Sequence, residues 1–364
     1  MLAVLVDPSS NVTFPAWWGG TRCARGWARP LPMYRWHDLE PLPPPRRKLF
    51  VLNRLHGHMR NFDKVECLSV AAFAAALVRR RANGTAAHAG DSAPPPHVLD
   101  IGANMGYYAV LGSALGARVT AVEMQPLCAQ IAGCHVRLND LSSRVTIING
   151  YVAPPATTAA VSVPANRCDP MASPSAVRGR FPNGKLRRAR EGERAGSERP
   201  VWPLAIGAYA DEHVLARGVG FAVTKLDTEG FEVLALESLR PVWSRLGELL
   251  IELQPTAWEA HGVGLERGLS TLRELMAAAR YRAVLLPHRV SKTDSFNQLG
   301  RFDVCALPTA ARPVRPEEAL RRGLRGATVY PSYEMFAELL RELHARARKH
   351  GYFHDFLFTA RTCP

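Results

Sequence analysis

From His97 onward, the chain alternates short apolar runs with amphipathic segments of helical spacing. The first such segment, residues 105–116, places Tyr107, Val110 and Leu111 on one helical face. Strands that alternate with helices in this way predict parallel β-α-β units with right-handed crossovers. The predicted strands are 98–101, 119–122, 145–148, 221–226, 248–253 and 281–286, followed by either 302–307 or 353–359 as an antiparallel last strand. The pattern therefore predicts an α/β fold with a doubly wound, mostly parallel sheet of seven strands.

Two regions of the chain do not follow this alternation. Residues 1–96 begin rich in Pro, Trp and Arg, and only 62–82 show helical spacing, which predicts an irregular arm with one helix. Residues 154–200 are rich in Pro, Ala and Ser and then basic, which predicts a disordered insertion. We therefore expect an arm over 1–96 and one domain over 97–364.

The sequence also bears on the compartment of the protein. No apolar run approaches the ~20 residues of a membrane-spanning helix, and Met1–Val6 is a poor signal peptide. The seven cysteines are odd in number and lack C-x-x-C spacing, which argues against a zinc site or a dense disulfide framework. Because Cys128, Cys134 and Cys305 fall in apolar segments, we expect buried free thiols and a reducing compartment. The cytoplasm or an organelle lumen or stroma fits these observations.

The formal net charge of +14 is compatible with a nucleic-acid or acidic partner. The charge is not confined to one helical face, however. The densest basic stretch, Arg178–Arg199, also contains Pro, Gly, Ser and Glu, as a solvated loop does. We therefore expect basic loops rather than a nucleic-acid surface.

The most specific motif is V-L-D-I-G-A-N-M-G at 98–106, where the first strand turns into the first helix. Glycines let the backbone approach a ligand closely, and a helix N-terminus favours a carboxylate group. Asp100 suits an ammonium group, and Glu123, which ends the next strand, suits two ribose hydroxyls. This order differs from the G-x-G-x-x-G of dinucleotide sites and fits S-adenosylmethionine better. The candidate cofactor-binding residues are Asp100, Gly102, Ala103, Asn104, Gly106, Tyr107, Glu123, Met124 and Asn149.

A second motif, K-L-D-T-E-G-F-E at 225–232, ends the fourth strand and opens a helix. Open α/β sheets bind ligands at this carboxyl edge, where Glu252 ends the next strand. An N-cap or helix-dipole role accounts for single acids but not for the whole cluster. Methyl transfer to an alcohol needs aligned reactants and a base near the hydroxyl proton. We therefore assign the positioning of the acceptor and the role of general base to Asp227 and Glu229. The candidate substrate-side residues are Lys225, Glu232 and Glu252.

With these residues, the sequence resembles the FkbM-type S-adenosylmethionine-dependent methyltransferases. The resemblance lies in Val98–Tyr108, Glu123, the Asp227-x-Glu229-Gly230-x-Glu232 run and Ile251–Glu252. It covers about 97–150 and 221–255, whereas the first 90 residues and 154–200 lie outside it. It implies a class I methyltransferase fold of the Rossmann-like type, S-adenosylmethionine as cofactor, and O-methylation of a sugar or a small-molecule or lipid acceptor.

Three alternatives remain open at the level of sequence. A nucleic-acid methyltransferase is suggested by the charge, but the three acids of the second motif would repel phosphate. A catalytically inactive binding protein is disfavoured by the intact set of Asp100, Gly102, Gly106 and Glu123. A divalent cation on Asp227, Glu229 and Glu252 is conceivable, but no histidine accompanies them, so we expect no metal.

Overall fold

The protein, in a computed structural model, has a central β-sheet flanked by helices on both faces. The structure describes residues 4–6, 28–32, 48–52, 66–87, 94–165, 167–168, 198–215, 220–286, 303–307, 309–310, 327–347 and 354–360. The strands of the central sheet are β1 (Val4–Val6), β4 (His97–Ile101), β5 (Arg118–Glu123), β6 (Val145–Asn149), β11 (Phe221–Leu226), β12 (Glu248–Leu253), β13 (Arg282–Leu286), β14 (Thr328–Tyr330) and β15 (His354–Thr359). The other strands form two-stranded pairs: β2 (Ala28–Pro32) with β3 (Lys48–Leu52), β7 (Tyr151–Val152) with β10 (Pro203–Leu204), and β8 (Val161–Pro164) with β9 (Glu198–Val201).

The sheet confirms the predicted doubly wound, mostly parallel architecture. Its order is β1-β6-β5-β4-β11-β12-β15-β13-β14, and β6, β5, β4, β11 and β12 are mutually parallel. Strand β15 is antiparallel to both of its neighbours, β12 and β13. The seven predicted strands form the centre of the sheet, and the antiparallel edge strands β1 and β14 bring the described sheet to nine strands.

The α-helices cover the two faces of this sheet. They are α1 (Cys67–Ala87), α2 (Tyr107–Ala114), α3 (Pro126–Leu138), α4 (Ile206–Tyr209), α5 (Glu232–Ser238), α6 (Pro255–Trp258), α7 (Leu265–Ala279) and α8 (Tyr333–Ala347). Helices α1, α2 and α3 pack into one buried apolar cluster, whereas α5, α7 and α8 pack into another. Successive side chains of the strands enter the two clusters alternately, so that the strands are buried along nearly their whole length, as a sheet covered on both faces requires. No helix among the described residues is long and apolar enough to cross a membrane.

The last strand along the chain is β15 at 354–359, which corresponds to the predicted candidate at 353–359. Phe356 and Phe358 enter the cluster on one face, while Leu357 enters the cluster on the other. The prediction of a strand at 302–307 is wrong, because Val304–Ala306 forms a single 3-10 turn. Asp303 accounts for the turn, since its carboxylate Oδ1 accepts a hydrogen bond from the backbone N–H of Cys305 at 3.1 Å.

Helix α1 contributes to the same core as the sheet. Phe73 and Leu77 are fully buried, and they share an apolar cluster with Val98, Leu250 and Leu357. The division of the chain after residue 96 stays a prediction, but the helix that precedes it packs directly on the strands that follow it.

Part of the predicted disordered insertion is ordered. Strands β8 and β9 pair in antiparallel register, from Val161 opposite Val201 to Pro164 opposite Glu198. Val163 and Val201 are buried beside Tyr151, and this small apolar cluster accounts for the order. The prediction of disorder is therefore wrong at both ends of 154–200, while 166 and 169–197 lie outside the described residues.

The expectation of buried free thiols is also wrong. Cys128 on α3 is joined to Cys168 by a disulfide with a Cα–Cα distance of 4.9 Å, and Cys134 and Cys305 are disulfide-bonded as well. Spacing along the chain gave no sign of the first pair, because its two cysteines are 40 residues apart.

Candidate functional site

A cleft of about 570 Å³, including its open mouth, lies at the carboxyl end of the parallel strands. Its walls come from the turns that follow β4, β5, β6 and β11, which the sheet order brings side by side. The lining residues are Ile101, Gly102, Asn104, Val122, Glu123, Met124, Gln125, Gly150, Tyr151, Val152, Asp227, Thr228, Glu229 and Phe231. The two sequence motifs therefore meet in one cavity.

The glycine turn after β4 is fixed mainly by backbone contacts. The N–H groups of Gly102 and Ala103 donate to the Val122 carbonyl oxygen at 2.9 and 3.0 Å. A Cβ built on Gly102 would stand 1.6 Å from the carbonyl oxygen of Asp227, and one on Gly106 would stand 2.8 Å from the Cβ of Ala132. The sequence suggested that these glycines make room for a ligand. In the structure, they make room for the second motif and for helix α3.

Glu123 lies at the junction of the turns after β4 and β5. Its Oε2 accepts the N–H of Asn104 and its Oε1 accepts the N–H of Gln125, both at 2.7 Å. Burial raises the pKa of this carboxyl to about 7, although the two N–H groups act in the opposite direction. Each carboxylate oxygen keeps a lone pair for a hydroxyl donor in the cleft.

Five of the predicted cofactor residues do not line the cleft, namely Asp100, Ala103, Gly106, Tyr107 and Asn149. Asp100 is 1% exposed, and burial raises its pKa to about 7, while Lys225 lowers it. The Oδ2 of Asp100 has no hydrogen-bond partner within the described part of the chain. The Asn149 amide donates to the Glu123 and Met124 carbonyl oxygens at 2.8 and 3.1 Å, so it supports the cleft wall from behind.

The second motif forms a turn in which Glu229 has left-handed backbone geometry. The φ angle of Glu229 is 53°, and Asn104 on the opposite wall has a φ of 50°. Side chains other than glycine adopt this region at a cost, and such residues are common at functional sites. Burial, followed by the charge of Asp227, raises the pKa of Glu229 to about 8. A carboxyl group with this pKa exchanges protons near neutral pH, as a general base does.

Glu232 is placed under the turn rather than in the cleft. It is fully buried, and it accepts hydrogen bonds from the Gly230 N–H at 2.6 Å and from the Trp258 indole N–H at 2.8 Å. These bonds hold the turn that presents Glu229. Lys225 is likewise buried and absent from the lining, at 3.0 Å from Asp227.

Glu252 lies behind the cleft and close to the acids of the second motif. One ligand atom from each of Asp227, Glu229 and Glu252 lies within 4.8 Å of the others, so the three could hold a divalent cation. The amide nitrogen of Gln254 instead donates to Glu229 at 2.7 Å and to Glu252 at 2.9 Å. Burial raises the pKa of Glu252 well above its usual value. The Gln254 amide therefore bridges these two carboxyl groups.

Sequence reasoning missed several lining residues. Thr228 and Phe231 lie inside the second motif, but they drew no attention because they carry no charge. Tyr151 follows the Asn-Gly pair at the end of β6, and only the pairing of β7 with β10 explains its place in the wall. The ring of His261 packs edge-on against Phe231, with 4.2 Å between ring centroids.

The raised carboxyl pKa values predict that the protein loses stability as the pH rises from 6.5 to 9. Burial raises the pKa values of Asp100, Glu123 and Glu232 to about 7 and of Glu229 to about 8. The folded state thus binds protons that the unfolded state has released, and this advantage disappears above the raised pKa values. We expect calorimetry without cofactor to show a fall in melting temperature of about 5 °C or more across this range.

Histidine acts in the opposite direction and only at the lower end of this range. Burial lowers the pKa values of His135 and His97, so the stability that they contribute rises with pH until the unfolded-state pKa of 6.5 has been passed. Glu229→Gln should have a flatter profile than the unmodified protein. A melting temperature that is constant or rises from pH 6.5 to 9 would contradict the prediction.

The Cys128–Cys168 disulfide is packed against Asn104 in the wall of the cleft. The side-chain amide oxygen of Asn104 lies 3.7 Å from Cys128 Sγ and 3.9 Å from Cys168 Sγ. We expect the double variant Cys128→Ser/Cys168→Ser to bind S-adenosylhomocysteine about tenfold more weakly, a loss of about 1.4 kcal/mol, because Asn104 loses its fixed neighbour. Titration calorimetry measures the change, and equal affinities for the two proteins would refute the coupling.

The order of the seven central strands defines the class of the fold. Numbered along the chain from β4, they lie in the order 3-2-1-4-5-7-6, with strand 7 antiparallel. This order, with a glycine turn after strand 1 and an acid after strand 2, is the class I methyltransferase fold.

Comparisons with known proteins give limited further detail. No protein-family model matches the sequence, and no curated protein matches it, so the FkbM resemblance stays a prediction. Similar solved structures include geranyl diphosphate C-methyltransferase from Streptomyces coelicolor A3(2), with Mg²⁺, geranyl diphosphate and S-adenosyl-L-homocysteine (12% identity, 77% of each chain, TM-score 0.29). A second is the plantazolicin methyltransferase BpumL with S-adenosylhomocysteine (10% identity, 85% of this chain and 90% of that chain, TM-score 0.30). A third is a methyltransferase from Geobacter sulfurreducens with the same ligand (15% identity, 73% and 84%, TM-score 0.28). At these TM-scores, the likenesses carry no argument about the site.

Proposed function

We propose that the protein is an S-adenosylmethionine-dependent methyltransferase that methylates a hydroxyl group of a sugar or of a small-molecule or lipid acceptor. One observation carries the proposal. The wall formed by Gly102, Asn104 and Glu123 and the wall formed by Asp227 and Glu229 face a single cleft. A methyl donor on the first wall is therefore within reach of an acceptor on the second.

The residues on the first wall suit the charged nucleoside. Glu123 has lone pairs for the ribose hydroxyls, and Met124, Gln125 and Val152 supply the adjoining surface for a base. Asp100 is a buried acid whose Oδ2 lacks a partner in the described residues, so an ammonium group or a bridging water would satisfy it. When bound, the cofactor supplies an electrophilic methyl group.

The residues on the second wall suit an alcohol. Asp227 and Glu229 orient the hydroxyl, and Glu229 takes its proton as the oxygen attacks. The pKa of about 8 suits this task, since a base works best when its pKa is near the working pH. In-line transfer otherwise depends on alignment, which the rigid turn around Glu229 provides.

The charge of the second wall favours a neutral acceptor over a nucleic acid. Asp227, Glu229 and Glu252 form a concentration of carboxyl groups at the place where an acceptor would bind. A phosphate backbone would be repelled there, whereas sugar hydroxyls can donate to the same oxygens. The aromatic rings of Tyr151 and Phe231 at the same cleft offer apolar faces to a sugar ring or an aliphatic chain.

The function can be tested in two stages with the full chain. Titration calorimetry with S-adenosylmethionine and S-adenosylhomocysteine tests the first wall, and no heat with either would favour the inactive binding protein. Methyl transfer from the labelled cofactor into a lysate separated into glycans, lipids, small metabolites, protein and RNA tests the second wall. Label in the glycan, lipid or metabolite fraction supports the proposal, while salt-sensitive label in RNA would replace it with the nucleic-acid alternative.

We expect activity to be unchanged after dialysis against EDTA. The reason is that the Gln254 amide already bridges Glu229 and Glu252. The assay compares initial rates before and after chelation, with a dialysed sample without chelator as the control. A loss of rate that Mg²⁺ restores would show that the acids hold a cation.

The disulfides also support a proposal on the compartment. Structural disulfides persist in oxidising compartments and are rare in the cytosol. With Cys128 joined to Cys168 and with Cys134 and Cys305 also bonded, we place maturation of the protein in an oxidising lumen. This replaces the reducing compartment expected from cysteine spacing. Mass spectrometry of the protein alkylated before reduction measures the bonded cysteines.

A further inference from the structure

Lys225 is a buried cation surrounded by acids from several parts of the chain. Its side chain is 2% exposed, and its ammonium nitrogen lies 3.0 Å from Asp227 Oδ2. The acidic groups that act on it, or on which it acts, are Asp227 and Glu229 after its own strand, Asp100 on β4, Glu252 on β12, Asp355 on β15 and Glu66 before α1. Burial by itself lowers the pKa of Lys225, but these negative charges outweigh it and raise the pKa.

The other side of Lys225 is covered by Tyr108 of α2, which in turn contacts the segment that leads into α1. The ammonium nitrogen lies 5.2 Å from the centre of the Tyr108 ring, within the range of a cation–π contact. The Tyr108 hydroxyl donates to Glu66 Oε2 at 2.9 Å. Ser69, one turn further along α1, donates to Asp355 Oδ2. The N-terminal helix therefore supports the group that contacts Asp227.

We propose that Lys225 is a positioning residue that acts through Asp227 and does not contact the acceptor. It fixes Oδ2 of Asp227 through the 3.0 Å contact, while Asp227 itself faces the cleft. Lys225 does not line the cleft, so the substrate-side role that its sequence position suggested is replaced by an indirect one. This inference depends on the proposed function, in which Asp227 orients the acceptor hydroxyl.

A double-mutant comparison separates an indirect role from a direct one. Asp227→Asn keeps the shape of the side chain and removes the charge that Lys225 holds. In that background, Lys225→Met should change the rate of methyl transfer less than twofold, because its effect passes through Asp227. The double variant removes both charges of the pair, whereas Lys225→Met alone leaves the Asp227 carboxylate without its partner. A further tenfold loss in the double variant would overturn the proposal.

The single variant Lys225→Met gives a second readout. We expect kcat to fall at least about tenfold, while the dissociation constant for S-adenosylhomocysteine stays within about threefold. An equal loss of kcat and of cofactor affinity would show a merely structural role. If Lys225→Met does not fold, the comparison of Asp227→Asn with the double variant still decides between the two roles.

Failure of this inference is distinguishable from failure of the proposed function. If Asp227→Asn retains full activity with intact cofactor binding, the role proposed for Asp227 is wrong, and its ion pair with Lys225 does not contribute to catalysis. If the unmodified chain transfers no methyl group to any fraction, the proposed function itself is wrong. The positioning role is supported only if Asp227→Asn lowers the rate and the addition of Lys225→Met to that variant lowers it no further.

Discussion

The variant Gly102→Ala is expected to lose cofactor binding and much of its stability. The new Cβ would stand 1.6 Å from the carbonyl oxygen of Asp227, and the residue would also have to adopt a φ of 78°. A backbone carbonyl group cannot move aside as the end of a flexible side chain can, so the turns after β4 and β11 would have to separate. We expect a loss of more than about 3 kcal/mol in the free energy of unfolding, measured by denaturant titration.

The chain offers a matched control for this experiment. Gly262 has a similar φ of 74°, but a Cβ there would meet nothing within 4 Å. Gly262→Ala should therefore cost only the strain of the left-handed backbone, about 1–2 kcal/mol, and should bind S-adenosylhomocysteine normally. If the two variants lose equal stability, backbone strain alone accounts for Gly102 and the contact with Asp227 does not matter.

The second large effect is expected for Glu229→Gln, which should lower kcat by about 10²- to 10⁴-fold while cofactor binding survives. Glutamine keeps the hydrogen-bonding shape but cannot accept the hydroxyl proton. Because the pKa of Glu229 is raised to about 8 by burial, kcat in the unmodified protein should rise with pH through this value. The residual rate of the variant should lack that rise. The measurement is initial-rate kinetics with labelled cofactor between pH 6 and 9.

A surface glutamate serves as the control for charge. Glu266 lies on the exposed side of α7, where it pairs with Arg341, and it is not part of the cleft. Glu266→Gln should keep both kcat and the pH profile. Full activity of Glu229→Gln, on the other hand, would remove Glu229 from the reaction and leave alignment as the only contribution of this turn.

Much of the fold could be predicted because local patterns decide it. The alternation of strands and helices placed the five parallel strands of the sheet, the antiparallel strand β13 and helix α7 within a residue or two of their observed bounds. The prediction failed where a local signal competed with the pattern. Asp303 sits in an apolar run, and its side chain stabilises a turn that the spacing of apolar residues does not reveal.

The acidic residues of the site could be predicted from the sequence, but the residues that surround them could not. Carboxylates at strand ends are visible in the sequence, and the parallel sheet brings them together by geometry. The partners of these acids come from distant segments. Gln254 bridges Glu229 and Glu252, Glu66 binds Tyr108 beside Lys225, and Cys168 closes on Cys128. Contacts of this kind depend on three-dimensional packing, which spacing along the chain does not encode.

The short strand β1 has a consequence for any shortened form of the protein. It pairs antiparallel with β6, from Val4 opposite Asn149 to Val6 opposite Ile147, and so closes the side of the sheet next to the cofactor cleft. Without it, the backbone donors and acceptors along β6 are left open to a strand from another molecule. A chain trimmed to residues 97–364 therefore gains a strand edge through which copies can pair, and in the full chain β1 protects that edge against aggregation.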